Sequence, residues 1–114
     1  MIYIPERGDA VWLEFTPQVG REQAGRRPAL VLSAAAYNGR AGLAVVCPIT
    51  SQIKGYPFEV LLPAGLPIHG VVLSDQVRSL DWRGRQAELI ARVSDHVIAE
   101  AVAKLVTLVG FRSK

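Results

Sequence analysis

Three side chains of this 114-residue chain bring phosphate-handling chemistry to defined places in the pattern: Arg27, Thr50 and Glu22. Arg27 precedes Pro28 where an irregular segment meets an apolar run, so its backbone is restrained while the segment before it varies. Its guanidinium is a planar fork that can hold two phosphate oxygens at once. Thr50 closes another apolar run, where a strand end would fix its hydroxyl. Glu22 lies upstream of Arg27 and supplies a carboxylate able to take a proton. Each has a structural reading when met alone. A strand-end threonine is a β-branched residue in its preferred place, and a glutamate beside Arg21 and Arg26 is an ion-pair partner in solvent.

Composition narrows the setting. Half the residues are hydrophobic and a fifth charged, which excludes a disordered or low-complexity chain. The length suits a single domain over residues 1–114. No apolar run is long enough to span a bilayer, and MIYIPERGD reaches Pro5 and charged residues too early for a signal peptide. One cysteine, Cys47, builds neither a disulfide framework nor a cysteine zinc site, so a reducing cytoplasm is the expected location, with no metal or cofactor. The net charge is +3, and arginine supplies ten of thirteen basic residues. Arginine suits phosphates and bases, yet a genome rich in G and C also favours its codons; composition leaves both readings open.

The positioning elements follow from periodicity. Residues 10–16 alternate, with Val11, Leu13 and Phe15 on one side and Trp12, Glu14 and Thr16 on the other. Residues 17–28, PQVGREQAGRRP, fit neither period and predict a long loop. Residues 29–33 and 43–50 are almost wholly apolar and predict central strands. Between them Asn38-Gly39 is a hairpin signal, although AAAY before it suits a helical turn. Short strands are expected at Phe58, Val60 and Leu62, from Val71 continuously to Leu80, and over residues 86–90. Ser94 then caps a helix whose apolar face is Val97, Ile98, Ala101, Val102, Leu105, Leu108 and Val109, ending at Gly110. Asp95, Glu100 and Lys104 on its other side argue for packing on the sheet. Many short antiparallel strands with a terminal α-helix predict a mainly β protein, a small barrel.

The run GREQAGRRPALVLS, residues 20–33, resembles the MazF/PemK family of toxin endoribonucleases. Further landmarks keep register with it: Gly8-Asp9 with Trp12, Pro48-Ile49-Thr50, Lys54-Gly55-Tyr56-Pro57-Phe58-Glu59, and Asp75-Gln76-Val77-Arg78-Ser79. The match covers residues 8–110. It implies an SH3-like small barrel of antiparallel strands with a C-terminal α-helix, forming a homodimer. It further implies metal-independent cleavage of single-stranded RNA at a short sequence, and inhibition by a cognate MazE-like antitoxin.

On that resemblance Arg27 and Thr50 match the catalytic arginine and threonine, and Glu22 an acidic loop position that some members use. RNA contacts are expected from Gln23, Arg26, Lys54, Gln76 and Arg78. The glutamine amides suit base edges and the cations suit phosphates. Trp12, Tyr56 and Trp82 offer faces for stacking, with core packing the expectation for Trp82. Two positions depart from the family pattern. Arg26 stands where some relatives carry histidine, and Leu73 where some place an arginine two residues before Asp75. His69 and His96 match no family site and read as surface residues. Two other classes share the small-barrel outline: a toxin that poisons DNA gyrase by binding it, and an RNA-binding barrel without catalysis.

Overall fold

The computed structural model describes residues 2–16 and 25–110. Its strands are β1 (Asp9–Glu14), β2 (Arg26–Val31), β3 (Ala44–Thr50), β4 (Glu59–Leu61), β5 (Val71–Leu73), β6 (Arg78–Leu80) and β7 (Glu88–Arg92). The helices are α1 (Ala35–Ala41) and α2 (Asp95–Val109). All pairings are antiparallel, in the order β4-β5-β3-β2-β1-β7. β6 pairs with the first half of β3, opposite Ala44, Val45 and Val46, and β5 with its end, Ile49 and Thr50. The sheet is mainly β and barrel-like as expected, but no pairing joins β7 to β4 among the described residues.

Alternation sends side chains to two cores. Leu30, Cys47, Ile49, Val60 and Val72 face one way and pack with Val97, Ile98 and Ala101 of α2. Val11, Leu13, Phe15, Ala29, Val31 and Val46 face the other way and pack with Leu80 and Trp82. Cover on both faces explains why β2 and β3 read as almost continuous apolar runs. Trp82 is core, as expected, and its indole N–H donates to Asn38 O at 2.9 Å.

Several elements differ from the sequence expectation. β2 begins at Arg26, inside the segment read as loop, because Glu14 and Leu13 already pair with Arg26 and Arg27. Asn38-Gly39 lies within α1 and turns no hairpin. Asn38 is fully buried, its amide donating to Pro5 O and Ser33 O, and that network outweighs its turn preference. The strand expected from Val71 to Leu80 is broken by a 3-10 turn, Ser74–Gln76, where β3 exchanges one neighbour for the next. The last strand lies two residues later than expected, at Glu88–Arg92.

In α2 the apolar face is buried only in part. Val97, Ile98 and Ala101 are buried and Leu105 half-buried, whereas Val102, Leu108 and Val109 are exposed. The helix ends at Gly110, whose φ of 68° is left-handed. Ser94 occupies the N-cap position, but its hydroxyl meets His96 Nδ1 at 3.0 Å and no backbone N–H. No described helix is long and apolar enough to cross a membrane.

Candidate active site

The site is built where β1, β2 and β3 end together. Arg27 is opposite Leu13 on β1, and it shares a face of β2 with Ala29 and Val31. On the other side of β2, Ala29 pairs with Pro48 and Val31 with Val46. Pro28 and Pro48 lack N–H donors, and the β2–β3 ladder stops at Ala29–Pro48. Carrying that register two residues further sets Arg27 across from Thr50, on the same face. Arg27 is exposed, whereas Thr50 is only 8% exposed. An exposed cation and a buried hydroxyl therefore share this face.

Thr50 is held from two sides. Its Oγ1 accepts the Gln52 N–H at 3.2 Å, so the hydroxyl proton is directed toward another acceptor. Its carbonyl faces Gly70, where an added Cβ would stand 2.0 Å from Thr50 O, against φ of +124°. Only glycine fits that approach. Sequence reading passed over Gly70. Its signal was a glycine directly before a strand in a proline- and glycine-rich turn.

Arg78 joins the same face from β6, where it pairs with Val46. Its guanidinium lies 5.8 Å from the centroid of the Phe15 ring, which is fully buried. Its Nη1 is shielded from solvent and has no hydrogen-bond partner among the described residues. Burying such a donor is costly unless an acceptor reaches it, and a phosphate oxygen is a suitable one. Half-buried Gln76 and exposed Asp75 are carried on the 3-10 turn that leads into β6.

Lys54 and Tyr56 lie on the exposed segment between β3 and β4, with Lys54 Nζ 6.0 Å from the centre of the Tyr56 ring. Half-buried Trp12 pairs with Pro28. Arg26 is turned the other way. Its Nη2 donates to Gln86 O at 2.9 Å and meets Glu88 Oε1 at 3.2 Å, with Glu14 opposite across the ladder. The Glu14 carboxyl lies below its ordinary range because the Thr16 hydroxyl donates to it, with weaker attraction from Arg26 and Arg85. Arg85 Nη1 donates to Glu14 O and Thr16 O at 2.9 and 3.1 Å, fixing the end of β1.

Glu22 and Gln23 lie outside the described residues. His69 and His96 are exposed, as expected of surface residues. Burial pushes the Cys47 thiol up to about 12, with the nearby Asp75 charge adding to it, which suits a core residue.

Comparison with known proteins places the chain in a family. The PemK-like, MazF-like toxin of type II toxin-antitoxin systems matches residues 6–109. The endoribonuclease toxin MazF of Escherichia coli K12 is 45% identical over 108 residues, covering 95% of this chain and 96% of that protein. The endoribonuclease EndoA of Bacillus subtilis is 32% identical over 116 residues, covering 95% and 99%. The crystal structure of MazF from Deinococcus radiodurans superposes with a TM-score of 0.94 at 60% identity, covering 96% of this chain and all of that one. A MazE–MazF structure from the same organism gives 0.88 at 59% identity, covering 97% and 100%. The chain belongs to the family of PemK-like, MazF-like toxins of type II toxin–antitoxin systems.

Proposed function

We propose that the chain is a toxin endoribonuclease that cleaves single-stranded RNA without a metal, at a short sequence. The observation that carries this reading is the sheet face shared by Arg27, Thr50 and Arg78, with one hydroxyl, two guanidinium groups and an Arg78 Nη1 that no described residue satisfies. The 2′-OH of the RNA attacks the adjacent phosphorus, and the bond from phosphorus to the 5′-oxygen breaks. A 2′,3′-cyclic phosphate and a 5′-OH result. One proton leaves the 2′-OH and another reaches the departing oxygen. Glu22 is the candidate base in this scheme.

Arg27 stabilises the charge that builds on the non-bridging oxygens. A guanidinium, with a pKa above about 12, suits charge stabilisation better than proton transfer. Thr50 donates its hydroxyl proton to one of those oxygens. Arg78 holds a phosphate, Lys54 with Tyr56 and Gln76 hold the strand to either side, and Gln23 completes the base contacts. Arg26, committed to Glu88, contributes to RNA binding only through its charge.

The protein acts in the cytoplasm as a homodimer. The exposed row Val102, Val106 and Val109 on α2 supports a second copy there, since these residues stand one or two turns apart on one side. A cognate MazE-like antitoxin inhibits it, as the MazE–MazF structures of the Deinococcus relative suggest. An acidic tail suits the face that carries Arg27 and Arg78. Incubating the protein with one long RNA in EDTA and mapping the new ends tests the reading. Discrete cuts bearing cyclic phosphates are expected. Bound but intact RNA, or a gyrase effect without RNA cleavage, would replace it with a binding protein.

A further inference from the structure

The segment between β3 and β4 holds Lys54 and Tyr56, yet residues 51–57 are exposed throughout and have no core of their own. Something else must hold them beside Thr50. Glu59, at the start of β4, is only 8% exposed, an unusual place for a carboxylate. Its Oε2 accepts the Lys54 N–H at 3.1 Å and its Oε1 accepts the Gly55 N–H at 3.0 Å. Gly55 has φ of +83°, which favours glycine and turns its N–H inward beside that of Lys54. The Glu59 N–H donates back to Tyr56 O at 3.1 Å. One residue therefore ties three successive positions of the segment.

The same residue is anchored from below. Lys104 Nζ of α2 donates to Glu59 O at 2.7 Å, while also meeting Glu100 at 3.4 Å on its own helix. The chain of contacts runs from α2 to Glu59, and from its carboxylate to the backbone that presents Lys54 and Tyr56. Hydrogen bonds from backbone N–H groups to a charged carboxylate are stronger than neutral ones, and here both carboxylate oxygens are used.

We infer that Glu59 is a positioning residue for RNA binding: its carboxylate shapes the segment that presents Lys54 and Tyr56, without touching the substrate. This rests on the endoribonuclease reading above. Glu59→Gln keeps size and removes charge, and its amide group offers one acceptor oxygen where two are needed. For a single-stranded RNA that the wild-type protein cuts, this variant raises KM by about tenfold and leaves kcat within about twofold. Hydrogen exchange at the Lys54 and Gly55 amides accelerates in the same variant, while Tm stays within a few degrees of wild type. Glu59→Asp, which keeps the charge on a shorter stem, recovers part of the lost affinity. In a Lys54→Ala, Tyr56→Ala background Glu59→Gln has little further effect on KM, because it acts through those residues.

An unchanged KM in Glu59→Gln with active wild-type protein overturns the inference alone. Additive effects in the combined variant overturn it too, by showing that Glu59 acts elsewhere. Wild-type protein that neither binds nor cuts RNA overturns the nuclease reading itself, and the role of Glu59 in RNA binding with it.

Discussion

Arg26 and Arg27 are adjacent, identical in type and both exposed, yet they belong to different chemistry. Strand alternation points them to opposite faces of β2. Arg26 enters a set of opposite charges and carbonyls, with Glu88, Glu14 and Gln86 O around it. Arg27 enters a face with Leu13, Thr50 and, further along, Arg78. The first cation is paired with Glu88. The second is the one proposed to meet an RNA phosphate. Residue type alone therefore says little about an arginine's surroundings; the parity of its strand position decides them.

That contrast is sharpest under substitution. Arg27→Ala should lower RNA cleavage by about a thousandfold, the scale for losing a group that stabilises developing charge. Its fold should be unchanged by circular dichroism, because Arg27 is exposed. Thr50→Val keeps the shape and removes one donor. It should cost about ten- to a hundredfold in kcat, read in single-turnover cleavage. Arg26→Ala should change cleavage by less than about threefold. It loses an ion pair whose side chains are 35% and 71% exposed, worth under about 1 kcal/mol after solvent screening, and thermal melts should shift by only a few degrees. A loss in Arg26→Ala as large as that in Arg27→Ala would break the comparison between the two faces.

Much of this arrangement was legible in the residues. The alternation of Val11, Leu13 and Phe15 marked the face that Arg27 and Arg78 share, and Trp82 proved to be core. The residues before Ala29 were not legible as strand, because Gly25, two arginines and Pro28 look like loop while the pairing with β1 overrides that composition. The buried network of Asn38 was hidden for the same reason: its turn preference is local, and its partners Pro5 and Trp82 are distant in sequence. Arg26 was grouped with Arg27 because they share a motif, and only the register separates them. Gly70 and Glu59 carried signals too weak to find, since a glycine in a turn and a glutamate at a strand start are ordinary. Their meaning lies in what stands 2.0 Å from an added Cβ and in which backbone N–H groups reach the carboxylate.

The central claim is that the RNA supplies the nucleophile while Arg27 and Thr50 stabilise the charge it creates. It is tested most directly with a short RNA that the protein cuts, remade with a single deoxyribose immediately before the cut. The account predicts that this chimera binds as the all-RNA strand does and is not cleaved at that position in EDTA. Cleavage of the chimera at the same bond would show attack by water and contradict the account.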